Sequence, residues 1–356
     1  MQTTIYSPTQ EHIKLLADQL QANEVVAIPT ETVYGLAGNA RSAVALKKIF
    51  EIKNRPENHP LIVHFAKPDE STHQAWTEVL AEWSREIPEI AIQLAQAFWP
   101  GPLTLVLPKA KSVLKEVTGG QDSVGLRCPS HPVAQAILKE FGGGLAAPSA
   151  NRFGKISPTT SLHVTQEFVN VRDENFLQHH LAVLDGGACH IGIESTIINL
   201  CDWSTTGPTL LRPGMISIAE IEEKTGIVVS EKIKSSLRHS GGLMAHYAPK
   251  TLLSLKKIDF KNFVAIPYHR LAYVYRNLDH VALEKDKFPM IDFYLLPESA
   301  EQIAHNLYSQ LRELDTKSYD EIVFCPLPLL GQWHGIMDRL LRAEQGSGTA
   351  NDPSHL

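Results

Sequence analysis

Two short polar stretches interrupt otherwise apolar parts of the sequence. One covers residues 53–60 (KNRPENHP), and the other covers residues 148–155 (PSANRFGK). Both carry cations beside hydrogen-bonding side chains, and both adjoin apolar runs with the pattern of strands or helices. Because α/β folds build ligand sites from the loops at the ends of their strands, the pair predicts a pocket for an anionic, polyphosphate-like ligand.

Further polar side chains stand within or at the ends of other apolar runs. Residues 29–36 (PTETVYGL) place three hydroxyl groups and a carboxylate directly after a strand-like run. The remaining candidates are His64, Arg127, Ser195, Thr196 and Arg212. Each type also has an ordinary structural explanation: turn capping, a solvated helix terminus, a hydrogen-bonded core histidine or a structural ion pair. Their joint occurrence at the ends of separate runs favours a binding site.

The usual phosphate-binding and catalytic motifs are absent from the sequence. There is no G-x-x-x-x-G-K-[ST] segment and no G-x-G-x-x-G after a strand-like run. Residues 142–144 (GGG) precede a strand-like run, and we interpret them as a helix stop. The sequence also lacks a G-x-S-x-G elbow and an H-E-x-x-H pair. These absences disfavour a P-loop ATPase, a dehydrogenase, an α/β-hydrolase and a zinc protease.

The composition is that of a globular protein with enough apolar residues to bury a core. The chain has 356 residues, of which 43% are hydrophobic and 20% are charged. The net charge of −6 is uneven, since residues 1–230 hold 18 basic and 24 acidic residues and residues 231–356 hold 15 of each. Binding nucleic acid without sequence preference needs a broad basic face, so the acidic first part argues against that function.

Cysteine spacing and hydropathy bear on the cellular compartment. The four cysteines form no C-x-x-C pair, which disfavours zinc-ribbon and disulfide frameworks and is typical of reduced thiols. No run of about 18 uninterrupted apolar residues occurs, and the first residues lack the pattern of a secretory signal. We therefore expect a cytoplasmic protein.

The periodicity of the apolar residues predicts a first α/β domain over residues 1–230. Its strands and helices alternate irregularly, which favours a twisted mixed sheet with flanking helices over a doubly wound one. The predicted helices cover residues 8–23, 43–51, 90–98, 133–141 and 218–224. The predicted strands cover residues 24–28, 61–65, 103–107, 123–127, 145–147, 181–184, 196–200 and 209–212.

A linker and a smaller second domain follow. Residues 231–250 have a composition suited to a linker and end in HYAP at 246–249. A second α/β domain is predicted over residues 251–343, and residues 344–356 have the composition of a flexible tail. The strands of this domain are expected at 263–266, 272–275, 291–295 and 321–324, and its helices at 298–314 and 334–342.

Seven ordered motifs in the first domain resemble those of the YrdC-like domain. They are IPTETVYGLAGN at 28–39, KNRPENHPLIVH at 53–64, WPGPLTLVL at 99–107, VGLRCPSHP at 124–132, APSANRFGKISP at 147–158, ESTI at 194–197 and LRPG at 211–214. With HYAP, a second α/β region and GIMDRL at 335–340, the chain resembles the two-domain threonylcarbamoyl-AMP synthases. This resemblance implies a YrdC-like twisted mixed sheet followed by a Rossmann-like domain.

The resemblance implies a nucleotidyltransferase. It would join L-threonine, bicarbonate or CO2, and ATP into L-threonylcarbamoyl-AMP and release pyrophosphate. Mg2+ would enter with ATP, held mainly by phosphate oxygens and water, and no resident metal site is expected. A separate transferase complex would then carry the threonylcarbamoyl group to tRNA, so the first reaction would not require contact with tRNA.

The resemblance also assigns roles to residues of this sequence. The polar tetrad that would surround the nucleotide phosphates and act in catalysis is Lys53, Arg55, Ser149 and Asn151. Further nucleotide contacts would come from His59, Ser123, Ser157, Arg212 and Tyr247. Threonine would be held by Thr32, His64, Arg127, Ala147, and Ser195 or Thr196. Among these, Arg127 would pair with the α-carboxylate.

Two positions depart from the family pattern. His59 stands where asparagine is common, which suggests a pH dependence near neutral. Gly241 and Gly242 stand where Pro-Gly is frequent, so we expect a looser linker. In the family, the tyrosine of the HYAP segment, here Tyr247, folds over the nucleotide, which would make the linker a lid.

Two other functions are compatible with a YrdC-like domain. The carbamoyltransferase of hydrogenase maturation would need an acylphosphatase-like region and C-x-x-C zinc modules, and the sequence contains neither. A non-catalytic module that binds tRNA or double-stranded RNA is the alternative function. The acidic balance of residues 1–230 opposes it, so the synthase is the favoured function.

Overall fold

A computed structural model describes residues 1–169, 180–231, 237–260, 262–263, 268–276 and 287–348. The chain divides into two compact units. The first comprises Met1–Phe153 and Ser157–Gly242, and the second comprises Leu243–Leu356 together with Gly154–Ile156. The sequence placed this short segment in the first domain. It groups with the second unit because the amide of Ala248 donates to the carbonyl oxygen of Gly154 at 3.0 Å.

The first unit contains ten strands and nine helices within the described residues. The strands are β1 (Gln2–Tyr6), β2 (Val26–Ile28), β3 (Gly35–Asn39), β4 (Ile62–His64), β5 (Leu103–Pro108), β6 (Ser123–Arg127), β7 (Leu145–Ala146), β8 (His180–Leu184), β9 (Thr196–Asn199) and β10 (Thr209–Arg212). The helices are α1 (Gln10–Gln21), α2 (Ala43–Lys53), α3 (His73–Ala81), α4 (Glu89–Phe98), α5 (Lys115–Thr118), α6 (Pro132–Phe141), α7 (Ser161–Val169), α8 (Trp203–Thr206) and α9 (Ile218–Thr225).

These strands form a mixed sheet, which confirms the predicted fold class. Their order across the described part of the sheet is β1-β8-β2-β3-β7-β4-β6-β5-β9-β10. β4 is parallel to β6 and antiparallel to β7, so the ends of three strands from different parts of the chain come together. Along β2, Ala27 and Ile28 enter two different apolar clusters, which shows that the central strands are buried on both faces.

Several elements were not predicted, and packing explains the clearest case. β3 reads GLAGN, a glycine-rich string that resembles a loop. A Cβ added at Gly38 would lie 3.0 Å from Cδ1 of Ile49, so glycine lets this strand approach α2 closely. β1, α3, α5, α7 and α8 were also not predicted. The predicted start of α1 at residue 8 is wrong because Thr9 caps the helix by accepting from the amide of His12.

The second unit is a smaller α/β domain with a parallel sheet. Its described elements are β11 (Leu252–Leu255), β12 (Leu271–Tyr275), β13 (Ile291–Leu295), α10 (Ala300–Asp315), β14 (Glu321–Phe324) and α11 (Trp333–Gly346). The strand order is β11-β14-β12-β13, with every described pair parallel. The sequence did not predict β11, and the strand predicted at residues 263–266 lies mostly outside the described residues.

Helix α11 extends into the segment that the sequence assigned to a tail. It ends at Gly346 instead of residue 342, and a carboxylate oxygen of Glu344 accepts from the amide of Leu255 at 2.7 Å. The hydroxyl of Ser347 accepts from the amide of Leu253 at 2.9 Å. Residues 344–347 therefore belong to the folded second unit, and residues 349–356 lie outside the described part of the chain. None of the described helices combines the length and apolar character that a membrane span requires.

The close packing beside β7 gives a stability prediction. A Cβ at Gly144 would lie 2.2 Å from the buried ring of Trp83 and 2.8 Å from Val63. Gly144→Ala should therefore lower the free energy of unfolding by about 1–3 kcal/mol, as measured by urea denaturation. Gly125→Ala is the matched control, because its added Cβ would meet its nearest neighbour at 3.4 Å. Equal stability of the two variants would contradict this account.

Candidate active site

The first polar loop begins where α2 ends. Lys53 is the last helical residue, and Asn54 caps the helix in the left-handed region with φ 49°. This reversal turns the chain back toward the sheet. Both Lys53 and Arg55 are buried, with 1% and 7% of their surface exposed. The alternative of a solvated helix terminus is therefore wrong for this pair.

The ammonium group of Lys53 joins the two polar loops. Its Nζ donates to the carbonyl oxygens of Ser149 and Asn151, each at 2.5 Å. In return, the carbonyl oxygen of Lys53 accepts from the amide of Phe153 at 2.9 Å. Burial, and secondarily the charge of Arg55, hold the pKa of Lys53 well below its usual range. The buried side chain of Lys53 thus joins the two loops that carry the predicted tetrad.

The remaining groups of the first loop surround the ring of Phe153. The Arg55 guanidinium lies 5.7 Å from the centroid of this ring, and the His59 ring lies 5.1 Å from it. Arg55 also donates from Nη2 to the carbonyl oxygen of Pro60 at 2.9 Å. Burial, with the charges of Arg55 and Arg238, lowers the pKa of His59 to about 4. The expected titration of His59 near neutral pH is therefore wrong for this structure.

A second group of predicted residues lies where β4, β6 and β7 meet. His64 and Arg127 are register partners on β4 and β6, and both are buried. The amide of Ala147 donates to the carbonyl oxygen of Ile62 at 3.1 Å, which places Ala147 beside the same strands. Burial, and secondarily the charge of Arg127, lower the pKa of His64 to about 3. We call the paired side chains of His64 and Arg127 the wall of the site. At neutral pH this wall therefore presents the guanidinium cation of Arg127 and the neutral imidazole of His64.

The loop after β2 reaches this wall through a carboxylate. Oε1 of Glu31 accepts from Nη2 of Arg127 at 2.6 Å, and both side chains are almost completely buried. The hydroxyls of Thr30 and Thr32 lie 2.9 Å apart. Thr30 also caps the turn by accepting from the amide of Val33 at 3.2 Å, as the ordinary explanation for this threonine expected. Thr32 directly follows Glu31 in the chain, and Glu31 pairs with Arg127, so Glu31 connects the loop after β2 to the end of β6.

A third group is built around Ser195, directly before β9. Arg212 donates from Nε and Nη2 to the carbonyl oxygen of Ser195, at 3.1 and 3.0 Å, and from Nη2 to its hydroxyl at 3.1 Å. The hydroxyl of Ser195 also lies 2.8 Å from that of Thr104. A predicted threonine contact is therefore hydrogen-bonded directly to a predicted nucleotide contact.

Of the three remaining predicted residues of the first unit, Ser157 and Thr196 lie beside Ser195, through Glu194 and through the chain, and Ser123 lies elsewhere. Ser157 is fully buried and donates to Oε1 of Glu194 at 2.6 Å. The hydroxyl of Thr196 donates to the carbonyl oxygen of Ile216 at 2.7 Å. Ser123 is buried at the start of β6, at the opposite end of that strand from Arg127.

Tyr247 belongs to the second unit. Its φ of 61° lies in the left-handed region, and its ring is buried. The ring stacks on Tyr308 at a centroid distance of 5.7 Å, and the Arg339 guanidinium lies 5.5 Å from its centroid. Its contact with a nucleotide stays a prediction, as does the closure of the linker over the site.

Sequence reasoning assigned no role to four residues that position the others, although it noted the carboxylate of one of them. They are Glu31, Thr104, Phe153 and Glu194. All four lie inside the seven motifs, next to or near residues that were singled out. The role of Glu31 could have been predicted from the sequence. Its carboxylate lies between two threonines directly after an apolar strand, and if it is buried there it needs a cation or several hydrogen-bond donors.

Two family models match the chain. A model for the Sua5, YciO and YrdC family, described as telomere recombination, matches residues 18–214. A model described as the C-terminal domain of threonylcarbamoyl-AMP synthase matches residues 216–344. The two matches follow one another and together cover most of the chain.

Relatives with a curated name match over nearly the whole length. The threonylcarbamoyl-AMP synthase of Pyrococcus abyssi is 36% identical over 345 residues, which covers 93% of each chain. That of Bacillus subtilis is 35% identical over 353 residues, which covers 96% of this chain and 95% of the relative. The crystal structure of P. abyssi Sua5 complexed with L-threonine matches with a TM-score of 0.77 and 32% identity, covering 97% of both chains.

The buried imidazole of His64 predicts a pH-dependent stability. Its pKa of about 3 lies below the ordinary value of 6.5, so the unfolded chain takes up the proton first as the pH falls. His64 therefore lowers the free energy of unfolding progressively below about pH 6.5. His64→Gln should flatten this pH dependence by up to about 1.4 kcal/mol per pH unit between about pH 6 and pH 4.

Urea denaturation at a series of pH values measures this slope. His180→Gln is the control, because His180 is exposed on β8. The control should keep the wild-type slope. A wild-type slope in His64→Gln as well would show that His64 is protonated equally in the folded and unfolded chains.

Proposed function

The chain belongs to the family of threonylcarbamoyl-AMP synthases, and we propose that it converts L-threonine, bicarbonate or CO2, and ATP into L-threonylcarbamoyl-AMP and pyrophosphate. This reaction is the first step of threonylcarbamoyladenosine modification of tRNA. The observation that best supports it is the buried Lys53 ammonium, which joins a cationic loop to the loop of Ser149 and Asn151. The wall of His64 and Arg127 in the same unit is the proposed threonine site.

The reaction needs positioning and charge stabilisation more than a protein nucleophile. The amine nitrogen of threonine forms a bond to the carbon of CO2 and loses a proton, which gives a carbamate. An oxygen of this carbamate forms a bond to the α-phosphorus of ATP. The bond between the α-phosphorus and the bridging oxygen breaks, and pyrophosphate leaves with the electron pair. Fixed donors around the phosphates stabilise the charge that develops on them.

Each predicted site residue takes a role in this proposal. The tetrad of Lys53, Arg55, Ser149 and Asn151 stabilises the reacting phosphates. The remaining nucleotide contacts are His59, Ser123, Ser157, Arg212 and Tyr247. Threonine is held by Thr32, His64, Arg127, Ala147, Ser195 and Thr196. Because the carbamate oxygen attacks, the α-carboxylate of threonine stays with Arg127 throughout the reaction.

The magnesium ion and the later partner complete the proposal. Mg2+ enters as part of the nucleotide substrate and is held mainly by phosphate oxygens and water. A separate transferase complex takes the adenylate product and modifies tRNA. The acidic balance of residues 1–230 supports a first step that proceeds without tRNA.

Pyrophosphate release tests the proposed reaction. The full chain with MgATP should release pyrophosphate only when both L-threonine and bicarbonate are present. Release that does not depend on threonine would contradict the synthase function. Salt-dependent binding of tRNA without any ATP turnover would instead support the non-catalytic RNA-binding alternative.

The tetrad gives a matched pair of substitutions. Lys53→Ala and Arg55→Ala should each slow turnover by about 10²–10³-fold, because each removes a charge beside the phosphates. Lys47→Ala and Arg41→Ala are the controls, since both side chains are exposed in surface ion pairs. The controls should keep the wild-type rate. Thermal unfolding establishes that the variants fold, and a folded Lys53→Ala or Arg55→Ala variant with near-wild-type turnover would overturn the role of that residue.

A further inference from the structure

The carboxylate of Glu31 is buried with both oxygens engaged. No part of the residue is exposed to solvent. Oε1 accepts from Nη2 of Arg127 at 2.6 Å, and Oε2 accepts from the amide of Ser130 at 3.0 Å. A carboxylate removed from water at this depth costs free energy unless it is paired and hydrogen-bonded, and here both conditions are met.

The backbone around Glu31 is also fixed. The carbonyl oxygen of Glu31 accepts from the amide of Ile191 at 2.8 Å. The preceding Thr30 accepts from the amide of Thr32 at 3.2 Å, which closes the turn around Glu31. Glu31 is therefore held through its backbone as well as through its side chain, so its carboxylate can fix the position of the groups that bind to it.

Arg127 is held on two of its three nitrogen atoms. Nη2 donates to Glu31, and Nε donates to the carbonyl oxygen of Gly101 at 3.4 Å. Within the described part of the chain, no hydrogen bond from Nη1 is recorded. A guanidinium is planar, so fixing Nη2 and Nε also fixes the direction of the Nη1 donors. The Nη1 edge of Arg127 is thus oriented.

We propose that Glu31 is a positioning residue that fixes the Arg127 guanidinium so that its Nη1 edge meets the α-carboxylate of L-threonine. This inference rests on the proposed function. Glu31 also balances the charge of Arg127 before threonine binds, since an unpaired buried guanidinium would be costly. Thr32 follows Glu31 directly and belongs to the same turn. This turn therefore sets the positions of two proposed threonine contacts, Thr32 itself and, through Glu31, Arg127.

The substitution Glu31→Gln tests the proposal. Glutamine keeps the shape but loses the charge, and it cannot accept from both Arg127 and Ser130. The Michaelis constant for L-threonine should rise by about 10–100-fold, because small misplacements of a binding group carry penalties of this size. The Michaelis constant for ATP should stay within about twofold of the wild type. If Glu31 only stabilised the fold, its substitution would change both Michaelis constants or neither of them.

A double-mutant cycle shows whether Glu31 acts through Arg127. Arg127→Ala alone should raise the Michaelis constant for threonine, and adding Glu31→Gln should raise it no further. Glu82→Gln is the control, because Glu82 forms an exposed ion pair with Arg41 at 3.2 Å. This control should leave both constants unchanged.

The outcomes separate this inference from the proposed function. If the wild type shows no threonine-dependent release of pyrophosphate, the proposed function fails. If the wild type is active but Glu31→Gln keeps the wild-type constant for threonine, or the two substitutions add fully, only the role of Glu31 fails. Should the glutamine variant not fold, Glu31→Asp replaces it. It keeps the charge but draws the carboxylate back by about 1 Å, and it should give the same selective effect on threonine.

Discussion

The buried ammonium of Lys53 is the interaction on which the shape of the candidate site depends. It lies at the end of α2 and donates to two carbonyl oxygens of a loop about 100 residues later in the chain. A desolvated cation is stable only with such acceptors, and buried carbonyl groups need donors in turn. The ammonium group and the carbonyl groups therefore stabilise each other, and the two polar loops hold each other in place.

The same principle recurs at two other buried cations of the first unit. Arg127 is paired with the carboxylate of Glu31, while Arg212 donates to the carbonyl oxygens of Ser195 and Ser240. Each cation is thus built into the ends of strands that a mixed sheet brings together. Lys53 differs in having Arg55 as a like-charged neighbour, so that burial first and this charge second lower the pKa of Lys53. An anion arriving there relieves this repulsion and favours the ammonium form, which suits a site for polyphosphate.

Local sequence patterns predicted much of the sheet and the positions of both polar loops. β6, β10, β13 and β14 have the predicted bounds, because each is a short apolar run with clear ends. β3 could not be predicted, since its two glycines serve close packing, Gly38 against α2 and Gly35 against Ala147, and hide the strand pattern. The burial of Lys53 and the pairing of Glu31 with Arg127 also lay beyond local patterns. Both depend on contacts between residues 96 or more positions apart.

Hydrogen exchange measures most directly whether Lys53 holds the second loop. The substitution Lys53→Met keeps an unbranched side chain but removes the donor to Ser149 and Asn151. Amides of residues 149–153, including that of Phe153, should then exchange at least about tenfold faster, while those of β6 keep their wild-type protection. Unchanged exchange in residues 149–153 would contradict the account, because it would mean that the loop is held without the buried ammonium.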